Sequence, residues 1–239
     1  MTLSRKLTVE FIGTFFLMFT IGTAVAAAGN LAPLAIGSVL VVMVFAGGHV
    51  SGGHYNPAVS TAVFARGKMA FDDYVSYVVT QIVAAILAGL LIRWVVAPAT
   101  AAAVATTGKM LLVEFLFTFA LCYVVLNVAT ARGTENNSFY GLAIGFTVMA
   151  GAFAVGKISG GAFNPAVAFG ASVLGLFSWS HIWIYLLAEI VAGAVAAGVF
   201  LVTQPGEKVD RRVLAAESDA DIGRRELDGT ARPATREAA

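Results

Sequence analysis

The chain has 239 residues, 59% of them hydrophobic, and only 29 charged side chains, 15 Lys+Arg against 14 Asp+Glu. Positions 204–239 hold 7 of the basic and 8 of the acidic residues, so the first 203 residues share 14 charges, far below the roughly one quarter a soluble domain carries. A soluble globular enzyme is excluded, and a net charge of +1 with no basic stripe gives no reason to expect a nucleic-acid partner.

A helix needs about 20 apolar residues to cross a hydrocarbon core. Six segments qualify: 8–28, 34–51, 73–96, 110–130, 139–156 and 180–203. The first begins like a cleavable leader, with Arg5 and Lys6 before an apolar stretch and Ala-Val-Ala-Ala-Ala-Gly at 24–29. Against that reading, Glu10 interrupts the apolar run and the same segment recurs later in the chain. Arg5, Lys6, Arg66, Lys68 and Arg132 fall on one side, with the basic residues of the tail, and Arg93, Lys109 and Lys157 on the other. This bias predicts that both termini are cytoplasmic. The single Cys122 lies in an apolar run and reads as a packing residue. Residues 204–239 mix both signs with Pro205, Pro233 and three Gly, and read as a polar, disordered tail or a surface amphipathic segment.

The clearest organisational signal is a repeat. Ser51-Gly52-Gly53-His54-Tyr55-Asn56-Pro57-Ala58-Val59 returns 108 positions later as Ser159-Gly160-Gly161-Ala162-Phe163-Asn164-Pro165-Ala166-Val167. The same offset carries Gly37 onto Gly145 and Gln81 onto Glu189, while Val9-Glu10-Phe11 matches Val113-Glu114-Phe115 at an offset of 104. Two three-span units follow, about 1–100 and 105–203. An odd number of crossings inserts the second unit from the opposite side, giving an inverted repeat.

Each motif is followed by a short apolar stretch, 57–66 and 165–175. Ten helical residues rise about 15 Å, half of a core about 30 Å thick. Neither stretch crosses alone, but two from opposite sides meet at the midplane. Asn is a preferred N-cap and Pro suits the first helical turn. Two facing helix N-termini concentrate positive potential at the centre, which repels protons and cations. The amides of Asn56 and Asn164 can donate to a passing solute oxygen.

The paired Asn56-Pro57-Ala58 and Asn164-Pro165-Ala166 motifs, in duplicated three-span units, resemble the major intrinsic protein family, the aquaporins and glycerol facilitators. The resemblance covers residues 1 to about 203. It implies an all-α membrane protein with six transmembrane helices and two re-entrant half-helices, a pore in every subunit, a homotetramer in a cell membrane, and water or small uncharged solutes as cargo. It also implies that Glu10 and Glu114 brace the two re-entrant loops. His54 reads either as a pore-lining residue or as a hydrogen-bonded packing residue. His49 and His181 read as structural or interfacial, and Gly89, Gly145, Gly193 and Gly198 as sites of close helix contact.

In water-selective members of that family the outer filter joins an aromatic on the second span, often a His on the fifth, a small or polar residue in the second loop and an Arg three residues after the second Asn. The matching positions here are Ile36, Ala152, Gly161 and Val167. None is charged or aromatic, and the Asp that follows the Arg in glycerol facilitators is Ala168. Val lacks the five donors and permanent charge of Arg, so a wide, apolar filter is expected, with weak size discrimination. A one-residue slip would put Phe153 at the constriction, Phe163 or Phe169 could narrow it, and Lys157 could restore charge near the mouth. The sequence holds no nucleophile with a paired base, no metal-spaced His/Cys cluster and no phosphate loop. Neither an enzyme nor a cofactor is expected. The alternatives to a neutral-solute channel are a gated or leaky ion pore and a weakly conducting structural protein of the same fold.

Overall fold

The computed structural model describes residues 1–96 and 106–207. Most of the polar segment from 204 to 239 lies outside the described residues, and so does the join between the two repeats. Eight α-helices run in order among the described residues: α1 Leu3–Ala27, α2 Ala32–Ser51, α3 Pro57–Ala65, α4 Phe71–Val95, α5 Thr107–Thr130, α6 Tyr140–Ser159, α7 Pro165–Leu174 and α8 Ile182–Thr203. Six are long and apolar enough to cross a membrane. The other two, α3 with 9 residues and α7 with 10, rise about 14 and 15 Å and reach only half-way.

The spans expected from sequence are all present, with small differences at their ends. α1 starts at Leu3 rather than 8, because Arg5 and Lys6 continue the helix and Lys6 pairs with Asp73 of α4 at 3.2 Å. α6 runs on to Ser159, so Lys157 sits in the last helical turn and not in a loop. α2 and α6 each stop where a glycine turns left-handed, Gly52 at φ 91° and Gly160 at φ 96°.

The two repeats hold each other through close backbone approaches. α2 crosses α6 at Gly37 and Gly145: a Cβ on Gly37 would lie 2.9 Å from the Gly145 carbonyl oxygen, and one on Gly145 would lie 2.6 Å from that of Gly37. Each half-helix lodges partly in the other repeat. α3 lies against α8, where a Cβ on Gly193 would come within 2.5 Å of the Ala58 oxygen. α7 lies against α4, where a Cβ on Gly89 would come within 2.7 Å of the Gly170 oxygen. Gly198 differs from the other three glycines read as contact sites, since nothing lies within 4 Å of its Cβ position.

Both half-helices end against an arginine, the favourable sign for a helix C-terminus. Arg93 donates to the Val173 oxygen of α7 at 3.1 Å. Arg66, which follows α3, is buried. It donates to the Thr130 oxygen at 2.7 Å, pairs with Glu207 at 2.9 Å and stacks over the Phe200 ring at 4.6 Å. Glu207 belongs to a short 3-10 turn, Pro205–Glu207, so the opening residues of the segment expected to be a free tail are folded against the bundle.

Candidate functional site

The site is built by the loops that lead into α3 and α7. In the first, the carboxylate of Glu10 on α1 accepts from Ser51 Oγ at 2.7 Å, from the backbone N–H groups of His54 at 3.0 Å and Tyr55 at 2.7 Å, and from Gln81 Nε2 at 2.8 Å. In the second, Glu114 on α5 accepts from Ser159 Oγ at 2.5 Å and from the backbone N–H groups of Ala162 at 3.1 Å and Phe163 at 2.9 Å. Ser51 and Ser159 turn back to accept from the N–H of Gly53 and Gly161. Tyr77 and Tyr185, 108 positions apart, donate their hydroxyls to the carbonyls of Ser51 and Ser159. The bracing geometry is the same in both halves, and the donors that converge on each glutamate compensate much of the cost of burying it.

So held, the chain reaches a conformation it would not choose alone. Tyr55 and Phe163 both have φ 49°, the left-handed region that non-glycine residues seldom enter. This turn aims each carbonyl across the molecule. Asn56 Nδ2 donates to the Phe163 oxygen at 2.8 Å, and Asn164 Nδ2 donates to the Tyr55 oxygen at 2.9 Å. Each Asn side-chain oxygen meanwhile caps its own half-helix, Asn56 accepting from the Ala58 N–H at 2.8 Å and Asn164 from the Ala166 N–H at 3.0 Å. An amide NH2 has two hydrogens. One on each Asn is taken by the opposite loop, which leaves one for a passing molecule.

A cavity of about 800 Å³ lies on the side of the molecule where α1 ends. Ile36, Ala152, Gly161 and Val167 line it together, and Asn56 and Asn164 belong to the same lining. Phe153, Phe163 and Lys157 line it too, and among the described residues Lys157 is its one formally charged side chain, while Phe169 instead packs near Trp179. A second cavity of about 360 Å³ lies on the side where α1 begins, bounded by Lys6, Ser51, Gly52, Lys68, Asp73 and Tyr77 among others. The two share one lining residue, His54. Its Nδ1 lies 3.0 Å from Ser60 Oγ, which accepts from Gln81 Nε2 at 3.1 Å. His54 is therefore hydrogen-bonded and also borders both cavities.

Several members of this constellation, Tyr77, Tyr185 and Ser60 among them, carry no mark in the sequence. Gln81 was visible only as a repeat partner of Glu189, Ser51 and Ser159 only as motif letters, and the positive φ of Tyr55 and Phe163 had no glycine to announce it. The Ser-Gly-Gly opening of each motif carried a usable signal, because a hydroxyl just before two glycines can fold back on the turn.

Residues 1–200 match the family described as Major intrinsic protein. The chain is 36% identical over 207 residues to "Glycerol uptake facilitator protein-like 6" of Lactiplantibacillus plantarum, covering 81% of this chain and 95% of that protein. It is 30% identical over 236 residues to "Aquaporin-4" of Mus musculus, covering 90% of this chain and 72% of that protein. Its fold is similar to the X-ray structure of the aquaglyceroporin from Plasmodium falciparum, with a TM-score of 0.70 at 20% identity over 87% of this chain and 97% of the other. Six apolar spans, two inverted half-helices capped by asparagine and the match along residues 1–200 lead to one conclusion: the chain belongs to the major intrinsic protein family.

Proposed function

We propose that the chain is a passive transmembrane channel for water and small uncharged solutes. The observation that carries this reading is a pair of cavities on opposite sides that both border His54, beside the facing tips of α3 and α7. A solute entering the larger cavity loses part of its hydration against Ile36, Ala152, Gly161 and Val167. It regains hydrogen bonds from the remaining N–H of Asn56 and of Asn164. The two helix N-termini raise the potential at that point and oppose cations. With Val167 and no arginine at the filter, the passage discriminates weakly by size, and the central dipoles carry most of the charge barrier.

The membrane would hold both termini on the cytoplasmic side, because short-loop basic residues gather there. Trp94, Trp179 and Trp183, all exposed, would then sit at the outer interface. A homotetramer, each subunit with its own pore, is the assembly that the family implies. Residues 208–239 would form a polar cytoplasmic extension. Stopped-flow light scattering of proteoliposomes under osmotic shock tests the reading, comparing water, glycerol and urea with proton and cation flux. Osmotic permeability well above that of protein-free liposomes is expected, with no cation current. Liposomes that behave as if protein-free would overturn it.

A further inference from the structure

The two loop braces are alike in shape and unlike in chemistry. Glu10 receives its fourth hydrogen bond from Gln81 Nε2 at 2.8 Å. At the matching place, 108 positions on, stands Glu189 of α8, fully buried. Its carboxyl faces that of Glu114 and the backbone N–H of Asn164. The other titratable groups around it are Tyr185 on its own helix and Cys122 on α5. α3 and α7, which also pack on α8, contain no charged residue. The Asn164 N–H points toward this carboxyl, but among the described residues neither oxygen of Glu189 has a partner at hydrogen-bond geometry.

Two ionised carboxylates in contact, buried and without a cation, repel strongly in a low-dielectric interior. One of the pair must keep a proton. Glu114 already accepts three hydrogen bonds, two of them on Oε1, and is the better place for the charge. A protonated carboxyl supplies one O–H donor, the same service that the Gln81 amide performs for Glu10. We propose that Glu189 is held as a neutral carboxylic acid donating its O–H to the Glu114 carboxylate, and so acts as a positioning residue for the loop from Ser159 to Asn164. The second brace thus stores one proton between two glutamates where the first stores none.

Infrared difference spectroscopy on the full chain in liposomes tests this without any transport measurement. The spectrum of the wild type at neutral pH should contain the carbonyl stretch of a protonated carboxylic acid, shifted in heavy water, that Glu189→Gln abolishes. Gln81→Glu should add a second such band by recreating the pair beside Glu10. An unchanged carbonyl region in Glu189→Gln would overturn the proposal. A second arm reads the loop: Glu189→Gln should keep the Tm of the wild type, and Glu189→Leu should lower it by several degrees and cut osmotic flux several-fold. Equal stability of the two variants would also overturn it. The flux arm rests on the channel reading. A lost band in a protein that conducts nothing would uphold the glutamate pair and remove the channel, so the two ideas fail separately.

Discussion

Arg66 and Glu207 join the C-terminal end of the first half-helix to the first turn beyond the last span, at 2.9 Å. Glu207 also accepts from the Arg132 N–H at 2.7 Å. That N–H, with the Arg66 guanidinium, holds the Glu207 carboxyl below its ordinary value of 4.5. A carboxylate depressed in the folded state stabilises fully above its unfolded value, and that contribution disappears as pH falls through the lower, folded one. Glu207→Gln is therefore expected to lower the Tm by a few degrees at neutral pH, with the gap from wild type closing as the pH drops below about 4.5. Thermal unfolding in detergent across that range checks the sign.

Asn164→Ala removes both a helix cap and the cross-loop donor. A lost cap costs about 1 kcal/mol, and a lost buried hydrogen bond costs about 1 kcal/mol more. We expect a stability loss of about 2 kcal/mol, with a several-fold fall in osmotic flux. Asn56→Ala should match it closely, because the cross-loop bonds of 2.8 and 2.9 Å are near equals. A large difference between the two variants in unfolding or flux would refute that equivalence.

Val167→Arg places a planar cation in the larger cavity, where Val167 is 2% exposed. Passage of glycerol and urea should fall more steeply than passage of water. Parallel osmotic-shock measurements with the three solutes give the ratio. An unchanged ratio would mean that the constriction lies elsewhere, nearer Phe153 or Lys157.

Gly145→Ala and Gly198→Ala separate contact from propensity. The first drives a methyl to 2.6 Å from the Gly37 oxygen, and the second adds one where nothing lies within 4 Å. Overpacking should cost Gly145→Ala on the order of 1–3 kcal/mol. Gly198→Ala should gain up to about 1 kcal/mol through helix propensity. Thermal unfolding of both variants reads the contrast.

Much of this arrangement was legible in the sequence because the elements are set by local rules. The Asn-Pro pairs are both cap and first turn, so α3 and α7 begin where the letters place them. Hydropathy found the spans and set their ends within a few residues, with the larger differences where polar residues continue a helix, as Lys6 and Lys157 do. What was not legible depends on contacts across long separations. The Arg66–Glu207 pair spans 141 positions and joins two segments with no repeat between them. The left-handed turns at Tyr55 and Phe163 arise from the glutamates that catch their N–H groups, which no neighbouring residue predicts. Gly198 shares its residue type with Gly193 and points the other way around the helix.

Because α3 lodges against α8, the first three spans emerge during biosynthesis with a half-helix that has no finished seat. Until α8 is made, α3 has chiefly α4 and α5 to pack against, so its main seat is completed late in synthesis of the bundle. A nascent chain halted ahead of α8 would leave this segment and its polar loop exposed to lipid or to quality-control proteases.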